Sequence, residues 1–218
     1  LADRGYRYVH YEGEDQRGVD CAFFYNPKLF ELTNSKLVPY VYINDTIHKT
    51  RGFLIASGNI AGEKMHFIVN HWPSRAAASP ARERAGEQVR AIKDSLLRED
   101  SAAKIVIMGD MNDDPMDKSM AVALGAKRKP VDAGPTDLYN PWWDTLKKGY
   151  GTLMYKGKWN LFDQIVVTGN LLGTDRSTLK FYKHEIFSRD FMFQKEGKYK
   201  GYPKRTHAGG VWLNGYSE

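Results

Sequence analysis

Short runs of β-branched, aromatic and other apolar residues recur along the chain, separated by turn residues. The runs lie at residues 19–25, 37–43, 53–58, 65–70, 104–108 and 163–168. Runs of this length and composition are typical of β-strands. Pro39 lacks a backbone donor, so it places the second strand at a sheet edge or a bulge. The pattern predicts six strands.

Helical spacing of apolar residues appears at two places between these runs. The first helix begins at Ser79-Pro80, a capping residue followed by a first-turn proline, and ends near Arg98. Four apolar residues share its inner face: Ala85, Val89, Ile92 and Leu96. A second, short helix is predicted from Asp114-Pro115 to Gly125, with an inner face of Met116, Met120 and Leu124. Strands and helices therefore alternate through the middle of the chain.

Two later segments have a different character. Residues 147–162 mix glycines with aromatic residues, which predicts a hairpin or an ordered loop. Residues 194–205 form a basic, glycine-bearing loop, and most of its charges are expected to be solvated. Neither an internal repeat nor a linker divides the sequence. We therefore expect residues 1–218 to form one α/β domain.

Composition narrows the class of protein without selecting a function. A hydrophobic content of 42% supports a sizeable core and argues against disorder. No run approaches the roughly 20 apolar residues of a membrane span. The net charge of +6 favours anionic partners, which include nucleic acid, lipid headgroups and small phosphates. The single cysteine, Cys21, excludes a disulfide within the chain and a Cys-based metal site, and we expect it to be buried.

The start of the sequence leaves localisation open. Leu1 opens what reads as mid-domain sequence, without Met and without the apolar segment of a signal peptide. A secreted or periplasmic protein would require a signal that had been removed ahead of Leu1.

The first candidate for chemistry is the end of the strand at 104–108. Asp110 and Asn112 follow Gly109, and at period 2 they would share one face. A carboxylate can orient water and an amide can donate to a developing oxyanion, with a magnesium ion nearby. The alternative is an Asx turn that caps the next helix, and we assign Asp114 to that structural role.

Two further strands also place polar residues at their ends. His71 follows the run at 65–70, at the end where open sheets bind ligands. Asp163 opens the strand at 163–168, where an acidic residue either caps a turn or orients a partner such as histidine. His66 is predicted to point to the opposite face and to be structural. Taken alone, His71 would also be read as structural.

Three residues are candidates for substrate contacts. Ser74 and Arg75 could donate to a phosphate, although a salt bridge from Arg75 to Asp94 or Glu87 on the following helix is an ordinary alternative. Trp159 belongs to a group of aromatic residues that could stack on a nucleic acid strand or complete a core.

Taken together, three blocks resemble a known family. HFIVNHWPSR, VIMGDMNDDP and KWNLFDQIVVTGNLL, in this order and spacing, resemble the endonuclease/exonuclease/phosphatase superfamily, from about Gly18 onwards. The resemblance implies a four-layer sandwich of two mixed β-sheets flanked by helices. It also implies that Asp110 orients the attacking water, that Asn112 contacts the phosphate, that His71 donates to a phosphate oxygen or the leaving group, and that Asp163 orients a second histidine.

The sequence departs from the family pattern at both ends. The family's amino-terminal asparagine strand and its metal-binding glutamate would precede residue 1, so the fold is expected to be incomplete there, with exposed apolar faces that a longer chain or self-association would cover. Where the family has its closing Ser-Asp-His, the sequence has Ser217-Glu218, so either Glu218 is a longer replacement for the family aspartate or the given sequence ends within the motif. We expect Asp110, with Glu218 as a replacement for the family aspartate, to be the metal ligands within this chain.

The resemblance implies a hydrolase that uses Mg²⁺ or Mn²⁺ to cleave a phosphoester, as a phosphodiesterase or nuclease. Sphingomyelinase-like and phosphomonoesterase activities would use the same reactive residues. The rival from another class is a module on the same fold that binds an anion or nucleic acid without hydrolysis, because the family's histidine site is incomplete.

Overall fold

The computed structural model describes residues 1–42, 49–208 and 211–216. The strands are β1 (Arg7–His10), β2 (Ala22–Tyr25), β3 (Glu31–Val38), β4 (Phe53–Ile60), β5 (Glu63–His71), β6 (Lys104–Asp110), β7 (Ala126–Lys127), β8 (Leu138–Tyr139), β9 (Leu153–Tyr155), β10 (Lys158–Asn160), β11 (Asp163–Thr168), β12 (His207–Ala208) and β13 (Val211–Trp212). The α-helices are α1 (Ser79–Glu99) and α2 (Trp143–Lys147). Short 3-10 turns lie at Ala2–Arg4, Pro130–Asp132, Gly169–Leu171 and Asp190–Met192, and a π-helical turn lies at Ser119–Ala123.

Seven strands form one mixed sheet in the order β3-β4-β5-β6-β11-β8-β7. At its centre β5 and β6 run parallel, joined by the crossover helix α1, and β11 runs antiparallel to β6. The pairs β1-β2, β9-β10 and β12-β13 each form a separate two-stranded sheet. The expected α/β class is confirmed. Of the four expected layers, the described residues contain the seven-stranded sheet, helix α1 on one side and small sheets beside it.

Alternation along the strands gives the large sheet two apolar faces. The first face packs against α1, and its five central residues are at most 1% exposed: Ile55, Ile68, Ile105, Ile107 and Val166. The second face packs partly against the hairpin β1-β2. Its residues include Leu54, Val69, Val106 and Met108, and Ile165 beside them is 44% exposed. The two faces are thus covered unequally.

Most of the predicted elements are confirmed. Helix α1 runs over nearly the expected residues, and its inner residues Ala85 and Val89 are fully buried. The expected capping role of Ser79 is wrong, because Ala78 is the N-cap and Ser79 is the first helical residue. The hairpin predicted within 147–162 is β9-β10, and Cys21 is buried as expected. Burial raises the pKa of the Cys21 thiol to about 11, so the group stays a neutral apolar contact at physiological pH. Within the described ranges, no helix is long and apolar enough to cross a membrane.

Three of the predicted elements are wrong in extent. The strand expected at 19–25 is β2, which begins only at Ala22. The strand expected at 37–43 is β3, which ends at Val38 because Pro39 cannot donate the next ladder hydrogen bond; residue 43 lies outside the described residues. The helix expected from Asp114 to Gly125 is reduced to the turn Ser119–Ala123, although Met120 and Leu124 are buried as predicted.

Candidate active site

Three predicted site residues meet at one edge of the large sheet because of strand register. In the parallel pair β5-β6, His71 lies opposite Asp110, and in the antiparallel pair β6-β11, Asp110 lies opposite Asp163. Residues opposite each other on neighbouring strands point to the same face. The alternation that buries Ile107 on the first face puts Asp110 on the second. An imidazole and two carboxylates therefore lie side by side.

The central pair of this site is partly shielded from solvent. Nε2 of His71 lies 3.8 Å from Oδ2 of Asp110, with the two side chains 19% and 16% exposed. Asp163 is exposed, and its backbone N–H donates to Oγ1 of Thr152 at 3.2 Å. The site thus has a half-buried, interacting centre with an open side at Asp163.

Gly109 sets the separation of β5 and β6 just before the site. Its φ is +132°, a conformation that side chains oppose. A Cβ there would also collide with the backbone of Asn70 on the neighbouring strand. Only glycine fits, and Asp110 follows this close approach directly.

Asn112 is placed differently from the expectation. The strand ends at Asp110, and Asn112 has φ +51°, so period 2 does not carry through to it. Its backbone N–H donates to Oδ1 of Asp110 at 2.7 Å, which is the Asx-turn bond of the alternative reading. Its Nδ2 donates to the carbonyl of Trp72 at 3.0 Å, and the residue is 9% exposed. Asn112 therefore joins the loops that carry His71 and Asp110.

Arg75 links the same loops rather than α1. Its guanidinium lies 2.8 Å from Oδ2 of Asp117, 3.2 Å from Oδ2 of Asp114 and 4.4 Å from the ring centre of Phe162. The prediction of a salt bridge from Arg75 to Asp94 or Glu87 is therefore wrong, since the carboxylates that Arg75 contacts include those of Asp114 and Asp117. The backbone carbonyl of Ser74 accepts from Nη1 of Arg82, while its hydroxyl oxygen accepts a 3.4 Å bond from Ala76.

Asp114 makes structural contacts, as expected, but the prediction that it caps a helix is wrong. Its Oδ1 accepts from the backbone N–H of Leu161 at 2.7 Å, which ties the loop after β6 to the segment before β11. Burial raises the pKa of the Asp114 carboxyl, and the Leu161 hydrogen bond and Arg75 oppose this shift. The acidic run after Gly109 thus connects two of the three sequence blocks.

A cavity of about 1090 Å³ opens beside the site on the second face. Asp110, Asp163 and Trp159 contribute to its wall, together with apolar residues of the sheet such as Met108 and Ile165. Trp159 is half-buried on β10. Glu218, the other expected metal ligand, lies outside the described residues.

Sequence reasoning missed the buried polar residues behind the site. Gln164 donates to the carbonyls of Asp113 and Leu161, and its Oε1 accepts from Nδ2 of Asn140. Arg82, 5% exposed, pairs with Asp113 at 2.8 Å. The sequence signal for the burial of Arg82 was its position three residues before Ala85, on the inner face of α1.

The sequence profile of the Endonuclease/Exonuclease/phosphatase family matches residues 1–218, and the chain belongs to this family. No curated protein matches the sequence significantly.

Solved structures share the fold at low sequence identity. The human Nocturnin catalytic domain with a bound sulfate anion matches with a TM-score of 0.58 at 15% identity, over 77% of this chain and 62% of its own. ANGEL2, described as a 2',3'-cyclic phosphatase, gives 0.59 at 11% identity, over 77% and 63%. The Bacteroides thetaiotaomicron mannosyl-6-phosphatase Bt3783 gives 0.53 at 18% identity, over 75% and 63%. The chain spans less than two thirds of the length of these structures.

Proposed function

We propose that the protein is a metal-dependent phosphoester hydrolase that acts as a phosphodiesterase or nuclease. The observation that supports this most is the register that brings His71, Asp110 and Asp163 to one face at the ends of three adjacent strands. A half-buried carboxylate beside an imidazole can orient a water molecule for in-line attack on phosphorus. Asp110 has that role in our proposal.

The remaining residues act on the phosphate. His71 donates from its ring to a phosphate oxygen or to the leaving group. An amide nitrogen carries two hydrogens, so Asn112 can donate one to the Trp72 carbonyl and the other to the phosphate. Asp163 lies at the open side of the site and would orient a further group, which in the family resemblance is a histidine.

The donors at this edge suit Mg²⁺ or Mn²⁺. Mg²⁺ is usually bound by one or two carboxylates together with waters and substrate phosphates, and Asp110 and Asp163 are neighbouring carboxylates. Asp110 would hold the ion, with Glu218 as the second ligand expected from the sequence. When bound, the ion would polarise a phosphoryl oxygen and neutralise developing charge.

The substrate class is the finer part of the proposal. The similar structures include proteins described as acting on a cyclic phosphate and on a mannose phosphate, so this fold is compatible with different phosphoesters. In this chain, Trp159 in the cavity wall provides a stacking surface for a base, and a net charge of +6 favours a polyanion. Both features favour a nucleic acid phosphodiester.

The test is hydrolysis of bis(p-nitrophenyl) phosphate by the full-length protein. Asp110→Asn should lower kcat about 10²- to 10⁴-fold, because it removes the group that orients water. Asp132→Asn is the matched control. It changes an exposed aspartate in the 3-10 turn Pro130–Asp132, outside the candidate site, and should keep the wild-type rate. A near-normal rate for Asp110→Asn would return Asp110 to a structural role.

The metal is tested separately with a chelator. EDTA should abolish turnover, and added Mg²⁺ or Mn²⁺ should restore it. Undiminished turnover after dialysis against EDTA would contradict the metal part. Tight binding of an oligonucleotide without hydrolysis under any metal condition would favour the binding-module alternative.

A further inference from the structure

A second group of metal-ligating side chains lies at the open end of the β1-β2 hairpin. Nε2 of His10 is 3.4 Å from Oδ2 of Asp20, and Glu12 stands beside them. One ligand atom from each of the three side chains falls within a cluster no wider than 4.8 Å. None of these residues belongs to the candidate active site.

Strand register brings the three side chains together. His10 pairs with Ala22 in the antiparallel ladder of β1 and β2. Continued by two residues, the same register sets Glu12 opposite Asp20, on the face that His10 also occupies. The neighbouring ladder pair, Val9 and Phe23, points the other way, into the core. Because Ala22 is small, the space beside the His10 imidazole is left to the two carboxylates.

The donor set and its spacing suit a transition-metal ion. One imidazole and two carboxylates are ligands that Zn²⁺ accepts, whereas Mg²⁺ prefers oxygen alone. With metal–ligand bonds of about 2.1 Å, two ligands of a tetrahedral ion lie roughly 3.4 Å apart, which is the separation of His10 and Asp20. We propose that His10, Glu12 and Asp20 bind a divalent cation of the zinc class. The proposal does not depend on the proposed function.

The surrounding contacts already orient one of the ligands. Oδ1 of Asp20 accepts from the backbone N–H of Gly13 at 2.8 Å, which leaves Oδ2 on the side of His10. Outer hydrogen bonds of this kind orient metal-ligating carboxylates. A Cβ at residue 13 would lie against the same Asp20 oxygen, so a side chain there would displace the carboxylate from its present position.

Such an ion would fix the loop at residues 11–19, which reaches the candidate active site. Asp15 in this loop binds Nη1 of Arg51 at 2.8 Å, and Nη2 of Arg51 donates to the Trp72 carbonyl next to His71. The same carbonyl accepts from Asn112. The cation would therefore stabilise a chain of contacts from the hairpin to the loop after β5.

Zinc titration of the full-length protein tests the proposal. Isothermal titration calorimetry with ZnCl₂ should show a site whose affinity falls at least about tenfold in His10→Ala, Glu12→Gln and Asp20→Asn. Glu14→Gln is the matched control, because Glu14 lies in the same loop but pairs with Lys49. The control and Asp110→Asn should keep the site.

NMR of the histidine side chains provides a second measurement. It depends neither on enzymatic activity nor on whether any one variant folds. The imidazole signals of His10, assigned by their loss in His10→Ala, should shift on addition of Zn²⁺, and a 100-fold excess of Mg²⁺ should not reproduce the shift. Unchanged zinc affinity in all three ligand variants, or His10 signals that do not respond to Zn²⁺, would overturn the site and leave a simple His10–Asp20 ion pair.

Discussion

The two faces of the seven-stranded sheet differ in cover and in chemistry. The first face is closed by α1, and its central residues, Ile107 among them, are almost completely buried. The second face carries the candidate catalytic residues and is lined in part by a cavity, beside which Ile165 is 44% exposed. Because alternate residues of the same strands supply both faces, one short segment serves the core and the site. The residues of the core and those of the candidate site are therefore separated by alternation along the same strands rather than by region.

The largest difference between the two faces is expected when one side chain on each face is truncated. Ile107→Ala should lower the free energy of unfolding by about 3 to 4 kcal/mol, because it opens a cavity in a fully buried layer. Its neighbour Met108→Ala should cost only about 1 kcal/mol, because that side chain is half-buried and borders open space. Urea denaturation of both variants measures the difference. Equal losses would mean that the second face is as well covered as the first.

Acid should weaken the contacts that link the loop at residues 11–19 to the loop after β5, and it should spare the apolar first face. Hydrogen bonds from Arg17 and Arg51 hold the pKa of Asp15 well below its usual range. The carboxylate therefore contributes fully above its unfolded pKa of about 3.9, and the contribution is lost as pH falls below that value. Asp15→Asn should cost about 2 to 3 kcal/mol at pH 7, because Arg51 is 4% exposed and would lose its charged partner.

Denaturation at pH 7 and pH 3 measures this effect. The difference in stability between wild type and Asp15→Asn should narrow at pH 3. A difference that stays constant with pH would show that the Asp15 charge is not the cause.

The smallest effect is expected at Arg75, where the loops of the site meet. Its side chain is 42% exposed, so its ion pairs are screened and Arg75→Ala should cost about 1 kcal/mol. Arg84→Ala is the control, since Arg84 also pairs with an acidic residue, Glu87, outside the site. A raised KM in Arg75→Ala would support the phosphate contact expected from the sequence. A lowered kcat with unchanged KM would make Arg75 a positioning residue.

The sequence predicted the strands and the helix whose apolar residues recur with a regular period. The runs at 53–58, 65–70, 104–108 and 163–168 became four adjacent strands, and the spacing of α1 gave its buried face. β1 was missed because Arg7–His10 is short and has a single buried residue, Val9. Partners of charged residues were not predictable, because Arg75 reaches carboxylates about 40 positions away.

The candidate site was predictable only as far as the strands extend. His71, Asp110 and Asp163 each lie at a strand end, so parity and register suffice to place them together. Asn112 lies two residues beyond β6 in a left-handed conformation, where the period no longer holds. The hydrogen bond between Asn140 and Gln164 could not be predicted, because the sequence does not distinguish a buried amide side chain from an exposed one.

The close approach at Gly109 couples the alignment of β5 and β6 to the geometry of the candidate site. A shift of β6 by one residue against β5 would bring a side chain against the Asn70 backbone and would also exchange the faces of Ile107 and Asp110. A misaligned molecule would therefore lose its core packing and the arrangement of the candidate site together. If hydrolysis is observed, its rate would report whether β5 and β6 are paired in the native register.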